Sequence, residues 1–264
     1  MSDTRRETVR FRGGGFVTGS RRWAPWLAFA LILAAWEAAS LTGLLPALFM
    51  PAPHEVVLAL HALLVDGQLF VHIGASLQRI VIGWLLGSAA GLAIGFAMGI
   101  FVLARSVGLP VVAALFPIPK IALLPLFILW FGIGEPSKVA TIALGVFFPT
   151  VVSTYSAVDN VPRNLIRMAQ SFGLPTRMIV TKVILPGAMP GILAGCRISS
   201  SIALILVVAA EMIGAQFGIG AFVLAAGNLM QTDQLVAGVV LLSLLGLTIS
   251  WLLSRLEKTL LRWR

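Results

Sequence analysis

Successive apolar runs, each long enough to cross a lipid bilayer, constrain this chain more than any other feature. Crossing about 30 Å of hydrocarbon takes roughly 20 predominantly apolar residues in helical form. Such runs lie near 23–45, 73–103, 107–133, 139–158, 191–213 and 235–253. Backbone polar groups in lipid must be satisfied internally, so runs of this length predict helices. Composition agrees: 59% of the 264 residues are hydrophobic and 11% are charged, against about 25% charged in ordinary soluble domains. A soluble core of this size could not hide so much apolar surface. The expected fold class is all-α membrane protein, with about six transmembrane helices in one domain over 23–264. Pro110, Pro117, Pro119 and Pro125 fall in the third run and predict a kinked or partly non-helical span. Lipid tolerates such a span only where protein covers the freed carbonyls.

The basic residues predict the orientation. Arg5, Arg6, Arg10, Arg12, Arg21 and Arg22 precede the first span, and Arg105 follows the second. Arg163, Arg167, Arg177 and Lys182 lie in 159–190, and Arg255, Lys258, Arg262 and Arg264 in the tail. All fall on one side, whereas the opposite connections hold only Lys138. By the positive-inside rule both termini are cytoplasmic, with residues 1–22 a basic cytoplasmic segment. The start resembles a signal peptide, but Glu37 interrupts the run and more spans follow, so an uncleaved first helix is expected. The formal charge of +9 therefore reads as topology and lipid contact; no basic–aromatic constellation supports nucleic-acid binding. The one cysteine, Cys196, excludes an intrachain disulfide.

Gly83, Gly87, Gly91, Gly95 and Gly99 recur every fourth residue in the second span, on one slowly rotating helix face. Without side chains there, a neighbouring backbone can approach closely, within the chain or at a subunit interface.

Residues 159–190 carry the most functional information. Asp159-Asn160-Val161-Pro162 offers capping side chains and a proline suited to a first helical turn. Leu165, Ile166, Ala169 and Phe172 follow at helical spacing, with Arg163, Asn164, Arg167 and Gln170 on the other side. Gly173 can end that helix in a left-handed cap, and Pro175 prevents its simple continuation. A second helical piece over 176–184 is expected to stop before Leu185-Pro186 and Pro190. A short amphipathic helix between two joints suits docking into a partner's groove and moving as a lever. Resting on lipid headgroups is the alternative on physical grounds.

The same stretch resembles the cytoplasmic signature of ABC importer permeases: Glu-Ala-Ala, three residues, Gly, nine residues, then Ile-x-Leu-Pro. Here it reads Arg167-Met168-Ala169, Gly173, Val183-Ile184-Leu185-Pro186. Spacing, second Ala, Gly and Leu-Pro are kept, while Arg167 and Met168 replace the usual Glu and first Ala. Ser76-Leu77-Gln78-Arg79, the stretch from Pro117 to Leu126, Trp130-Phe131-Gly132-Ile133-Gly134, Phe147-Phe148-Pro149, Leu185-Pro186-Gly187 and Ala210-Glu211-Met212-Ile213 look like the nitrate/sulfonate/taurine branch of that family. The resemblance implies a six-helix type I importer fold in the bacterial cytoplasmic (inner) membrane. It implies a pair of permease copies, by default a homodimer, with two cytoplasmic ATPase subunits and an extracytoplasmic solute-binding protein. ATPase coupling would then fall to Arg163, Leu165, Arg167, Ala169, Phe172, Gly173, Leu185 and Pro186.

Chemistry by the chain itself is not expected. A P-loop needs a Gly-Lys pair, and none of Lys120, Lys138, Lys182 and Lys258 follows a glycine. No cofactor is expected on this chain; ATP and Mg would sit on the partner ATPase. His54, His61 and His72 fit no recognised metal-ligand spacing. Charges inside spans are costly and normally face a partner or a wet cavity. Glu37, Lys120, Arg197 and Glu211 are such charges, and Lys120 with Glu211 is one candidate pair among them. Lys120, Ser199, Ser200 and Glu211 are the candidates for pathway or gating contact; interhelical or backbone bonding is the alternative for the serines. The rival function, an ion-gradient-driven secondary transporter or channel, would need coupling groups at broken helices in repeated halves, and no repeat is visible.

Overall fold

The computed structural model describes residues 23–46 and 48–261. The expectations for Arg5, Arg6, Arg10, Arg12, Arg21, Arg22, Arg262 and Arg264 lie outside them. The described residues form helices α1 (Ala24–Leu41), α2 (Pro53–Val65), α3 (Gln68–Ile100), α4 (Val102–Leu115), α5 (Leu124–Phe131) and α6 (Glu135–Asp159). These are followed by α7 (Arg163–Ser171), α8 (Thr176–Ile179), α9 (Leu185–Met212), α10 (Ile219–Asn228) and α11 (Thr232–Leu260). Five helices are long and apolar enough to span a membrane, and six if the bent pair Val102–Leu115 and Lys120–Phe131 counts as one.

That pair is the third apolar run, and its halves meet at 87°. Pro117 and Pro119 cannot donate backbone hydrogen bonds, so the helix opens between Leu115 and Lys120. Lys120 restores the loss: its ammonium donates to the carbonyls of Leu115 (2.8 Å), Phe116 (2.9 Å) and Ile118 (2.6 Å). It also sits 4.6 Å above the Phe148 ring. Three carbonyls at the break are thus satisfied within the chain.

The centre of the bundle is the trio α3, α6 and α9. Ile80, Ile142, Val146, Ala203, Leu206 and Val207 form a buried cluster among them. The glycine row of α3 faces α6 at near backbone contact. A Cβ at Gly83 would lie 2.7 Å from Ile142, at Gly91 2.8 Å from the Phe147 carbonyl and at Gly95 2.6 Å from the Val151 carbonyl. At Gly87 it would strike the Ala143 carbonyl, and at Gly99 the Val158 side chain. Around this trio, apolar side chains of α1 such as Trp26, Phe29 and Ile32 point outward, as a lipid-facing surface requires.

One sequence expectation fails at the far side of the 159–190 segment. Leu185-Pro186 does not end a helix; Thr176–Met212 is one continuous helical run of 37 residues. Its turn over Val180–Ile184 is π-helical. Pro186 lacks an N–H and crowds the preceding turn, and the wider π turn accommodates its ring without breaking the helix. The segment therefore has no joint at Leu185-Pro186, and beyond Gly173 it runs on as one helical arm.

Candidate functional site

Two constellations stand out, at opposite ends of α6. At its C-terminal end the chain turns through Val161-Pro162 into α7. Ile166 and Ala169 face inward, with Ile166 against the cluster of Val158, Val161, Ala188, Ile192 and Cys196. Leu165, Met168 and Phe172, by contrast, are 42%, 54% and 76% exposed. The apolar side of α7 is thus split: one row anchors the helix and the other is bare. Met168, a departure from the family signature by sequence, belongs to that bare row. Arg163 and Arg167 are exposed beside it. The helix ends in a Schellman motif: Gly173 N–H donates to the Gln170 carbonyl (2.9 Å) and Leu174 N–H to that of Ala169 (3.2 Å). Gly173 takes φ +68, a conformation glycine adopts without steric cost. Leu185 and Pro186 lie beyond it, where the π turn feeds α9.

At the other end of α6, a charge cluster ties α3, α6, α9 and α10 together. Arg79 is 4% exposed and Glu211 0%. Arg79 Nη1 donates to Glu211 Oε1 (2.8 Å) and to the Phe217 carbonyl (2.7 Å). Its Nε and Nη2 donate to the two carboxylate oxygens of Glu135, both at 2.6 Å. Ser76 Oγ lies 2.8 Å from Glu211 Oε1 and accepts from Ile219 N–H at 2.9 Å. Gly220 N–H, in the first turn of α10, donates to Glu211 Oε2 at 2.8 Å. A carboxylate there also complements the positive end of the helix dipole. Gly218 has φ +133, and a Cβ on it would collide with the Glu211 carboxylate. Every polar atom of the Glu211 carboxylate is therefore matched, which is what makes its complete burial sustainable.

The candidate Lys120–Glu211 pair does not form: Lys120 serves the broken span and Glu211 belongs to Arg79. Ser76, Arg79 and Glu135 are the residues that sequence reasoning missed here. Ser76 and Arg79 were visible by sequence in the family-like Ser76-Leu77-Gln78-Arg79 motif, but no periodicity links Arg79 to Glu211, 132 positions away. Ser199 is buried, accepting from Trp84 Nε1 (3.0 Å) and donating to the Cys196 carbonyl (3.0 Å). Ser200 donates to the Arg197 carbonyl at 2.8 Å. Arg197 itself pairs with Glu257 and Ser254 of α11, and Glu37 meets His54 at 2.6 Å.

Residues 79–262 match the family described as "Binding-protein-dependent transport system inner membrane component". The chain belongs to that family. As a member of this inner-membrane component family, it is a permease subunit of the ABC importer class. It is 36% identical over 235 residues to the putative aliphatic sulfonates transport permease protein SsuC of Bacillus subtilis (strain 168), covering 89% of this chain and 85% of that one. To the taurine transport system permease protein TauC of Escherichia coli (strain K12) it is 35% identical over 239 residues, covering 89% and 87%. Among solved structures, a chain of the inward-facing MetNI methionine ABC transporter superposes with a TM-score of 0.62 at 23% identity, covering 72% of this chain and 94% of that one. A chain from an amino acid ABC transporter superposes at 0.60 and 16% identity, covering 76% and 97%. The structural neighbours establish the shared type I importer permease fold, which both constellations occupy.

Proposed function

We propose that this permease imports a small organosulfonate such as taurine, or a related anion such as nitrate, using ATP bound with Mg and hydrolysed on partner subunits. The observation that carries the coupling role is the bare row Leu165, Met168 and Phe172 on α7. A helix with one face anchored and a second apolar face exposed is built to seat in another protein's groove. In this reading two ATPase subunits grip α7 in each of two permease copies, and a solute-binding protein delivers cargo at the opposite end. Both termini and α7 then lie on the cytoplasmic side, in line with the basic residues around α7. Closure of the ATPases moves α7; the arm formed by α6 and α9 transmits the motion to the Arg79–Glu211 cluster. That cluster holds α3 and α10 to the same arm, so the whole far end moves with it. The solute class rests on the sulfonate and taurine relatives, similar over nine-tenths of the chain.

The test is purification of the tagged chain from its native membrane in mild detergent, with co-eluting proteins identified by mass spectrometry. The expected result is a P-loop ATPase and a solute-binding protein whose ligand is a sulfonate. Recovery of this chain alone, with solute uptake when it is reconstituted alone under an ion gradient, would replace the reading with a secondary transporter.

A further inference from the structure

Beside the π turn, on the side where α3 and α9 flank α6, lies a cavity of about 470 Å³. Leu92 and Phe96 of α3, Val180 of the π turn, and Leu185 and Met189 of α9 form its walls, with Thr154 of α6 among its lining residues. Thr154 is 1% exposed and its hydroxyl has no hydrogen-bond partner. Its neighbours behave differently: Thr141 and Thr150 both donate to the carbonyl one turn back, at 2.8 and 2.9 Å.

Depth and charge say what fits. Thr154 is five residues from the end of α6 and Phe96 four from the end of α3, so the groove begins about 6–8 Å inside the helix ends. Its walls there are apolar, from Leu92, Phe96, Leu185, Met189 and Ile192, which suits an acyl chain. Along the run into α9, exposed Arg177 precedes the groove residues Val180 and Thr181, and exposed Lys182 lies between them and the groove residues Leu185 and Met189. From Lys182 to Met189 is about 10 Å along the helix. Neither cation forms an ion pair among the described residues. Among the described residues at this end, Asp159 is paired to Arg105 at 3.1 Å and Glu257 to Arg197, so neither acid is bound to Arg177 or Lys182. Two cations without ion-pair partners beside an apolar slot match the charge and polarity of an anionic phospholipid.

We propose that this groove is a binding site for an anionic phospholipid, one acyl chain seated between α3 and α9 and the phosphate held by Arg177 and Lys182. The inference needs only a membrane-embedded chain and does not depend on the transported solute or the ATPase.

The test uses the full-length chain reconstituted in bilayers of equal phosphatidylglycerol and phosphatidylcholine, extracted, and examined by native mass spectrometry for retained lipid. Wild type is expected to enrich phosphatidylglycerol, by about fivefold for each contributing cation. Arg177→Gln with Lys182→Gln should abolish the enrichment while leaving some lipid bound. Ala93→Trp, on the exposed lip of the groove, should lower retention of both lipids. Equal retention by wild type, enrichment that survives loss of both cations, or unchanged retention with Ala93→Trp each overturn the proposal. So does loss of the enrichment on adding inorganic phosphate alone, which would assign the cations to a soluble anion. The two glutamine substitutions are at exposed positions and keep the test valid should Ala93→Trp fail to fold.

Discussion

Arg79 and Glu211 illustrate how a buried charge becomes tolerable. Desolvating either one alone would be prohibitive, and the two offset each other only with further hydrogen-bond partners around them. Glu211 has Ser76 and the Gly220 amide; Arg79 has Glu135 and the Phe217 carbonyl. Glu135 differs, since its side chain is 56% exposed and also approaches Lys138 at 3.7 Å. Glu211→Ala leaves a buried guanidinium short of its anion and a helix terminus without its acceptor, a loss of about 3–5 kcal/mol. Glu135→Ala removes a pair that water can replace, and the loss should be clearly smaller. Thermal unfolding of purified variants in detergent checks the order; equal losses would mean that Glu211 is not the buried keystone of the cluster. Gly218 belongs to the same unit, because any Cβ there would meet the carboxylate.

Among the elements, α3 shows most plainly what a sequence displays and what it hides. The glycine row was legible because helical period turns spacing into a face without any knowledge of the partner. That the face meets α6, and at backbone distance, is tertiary information. The fifth span and the α7 joint were legible for similar local reasons: an apolar run, and a glycine followed by a proline. The continuity from α8 to α9 was not, since proline spacing reads as a stop and a π turn has no sequence signature of its own. The partners of Lys120 were hidden too, although the four prolines announced a broken span. Freed carbonyls attract a cation, but which cation depends on the 87° fold-back of the two halves. Two substitutions in α3 separate propensity from packing. Gly74→Ala adds a Cβ that meets nothing within 4 Å, so helix propensity alone acts and stability should rise by about 0.5–1 kcal/mol. Gly87→Ala gains the same propensity but drives its Cβ onto the Ala143 carbonyl, and α3 and α6 must separate. Melting temperatures should move in opposite directions. A shift in the same direction for both would show that the α3–α6 approach is looser than the glycine row requires.

For the whole molecule, the arrangement amounts to a bare apolar row at one end, a locked charge cluster at the other, and long rigid helices between. Displacement of the bare row reaches the helical run of α8 and α9 through the turn at Gly173. There φ is +68 and a Cβ would find open space, with nothing within 4 Å. The glycine is therefore required by backbone conformation and not by crowding, so the two causes can be separated by substitution. Gly173→Asn places a residue that tolerates the left-handed region, and the joint should keep its geometry. Gly173→Val places a β-branched residue where it is a genuine outlier, at a strain of about 1–2 kcal/mol. That strain is relieved by unwinding the Schellman turn, which frees α7 from its fixed angle to the arm. In the assembled importer, solute moved per ATP hydrolysed should be near wild type for Asn and should fall for Val, while hydrolysis itself persists. The measurement is paired uptake and ATPase assay in proteoliposomes. Equal coupling in the two variants would mean that the angle at Gly173 does not carry the stroke, and that α7 moves α6 and α9 through the Ile166 and Ala169 contacts alone.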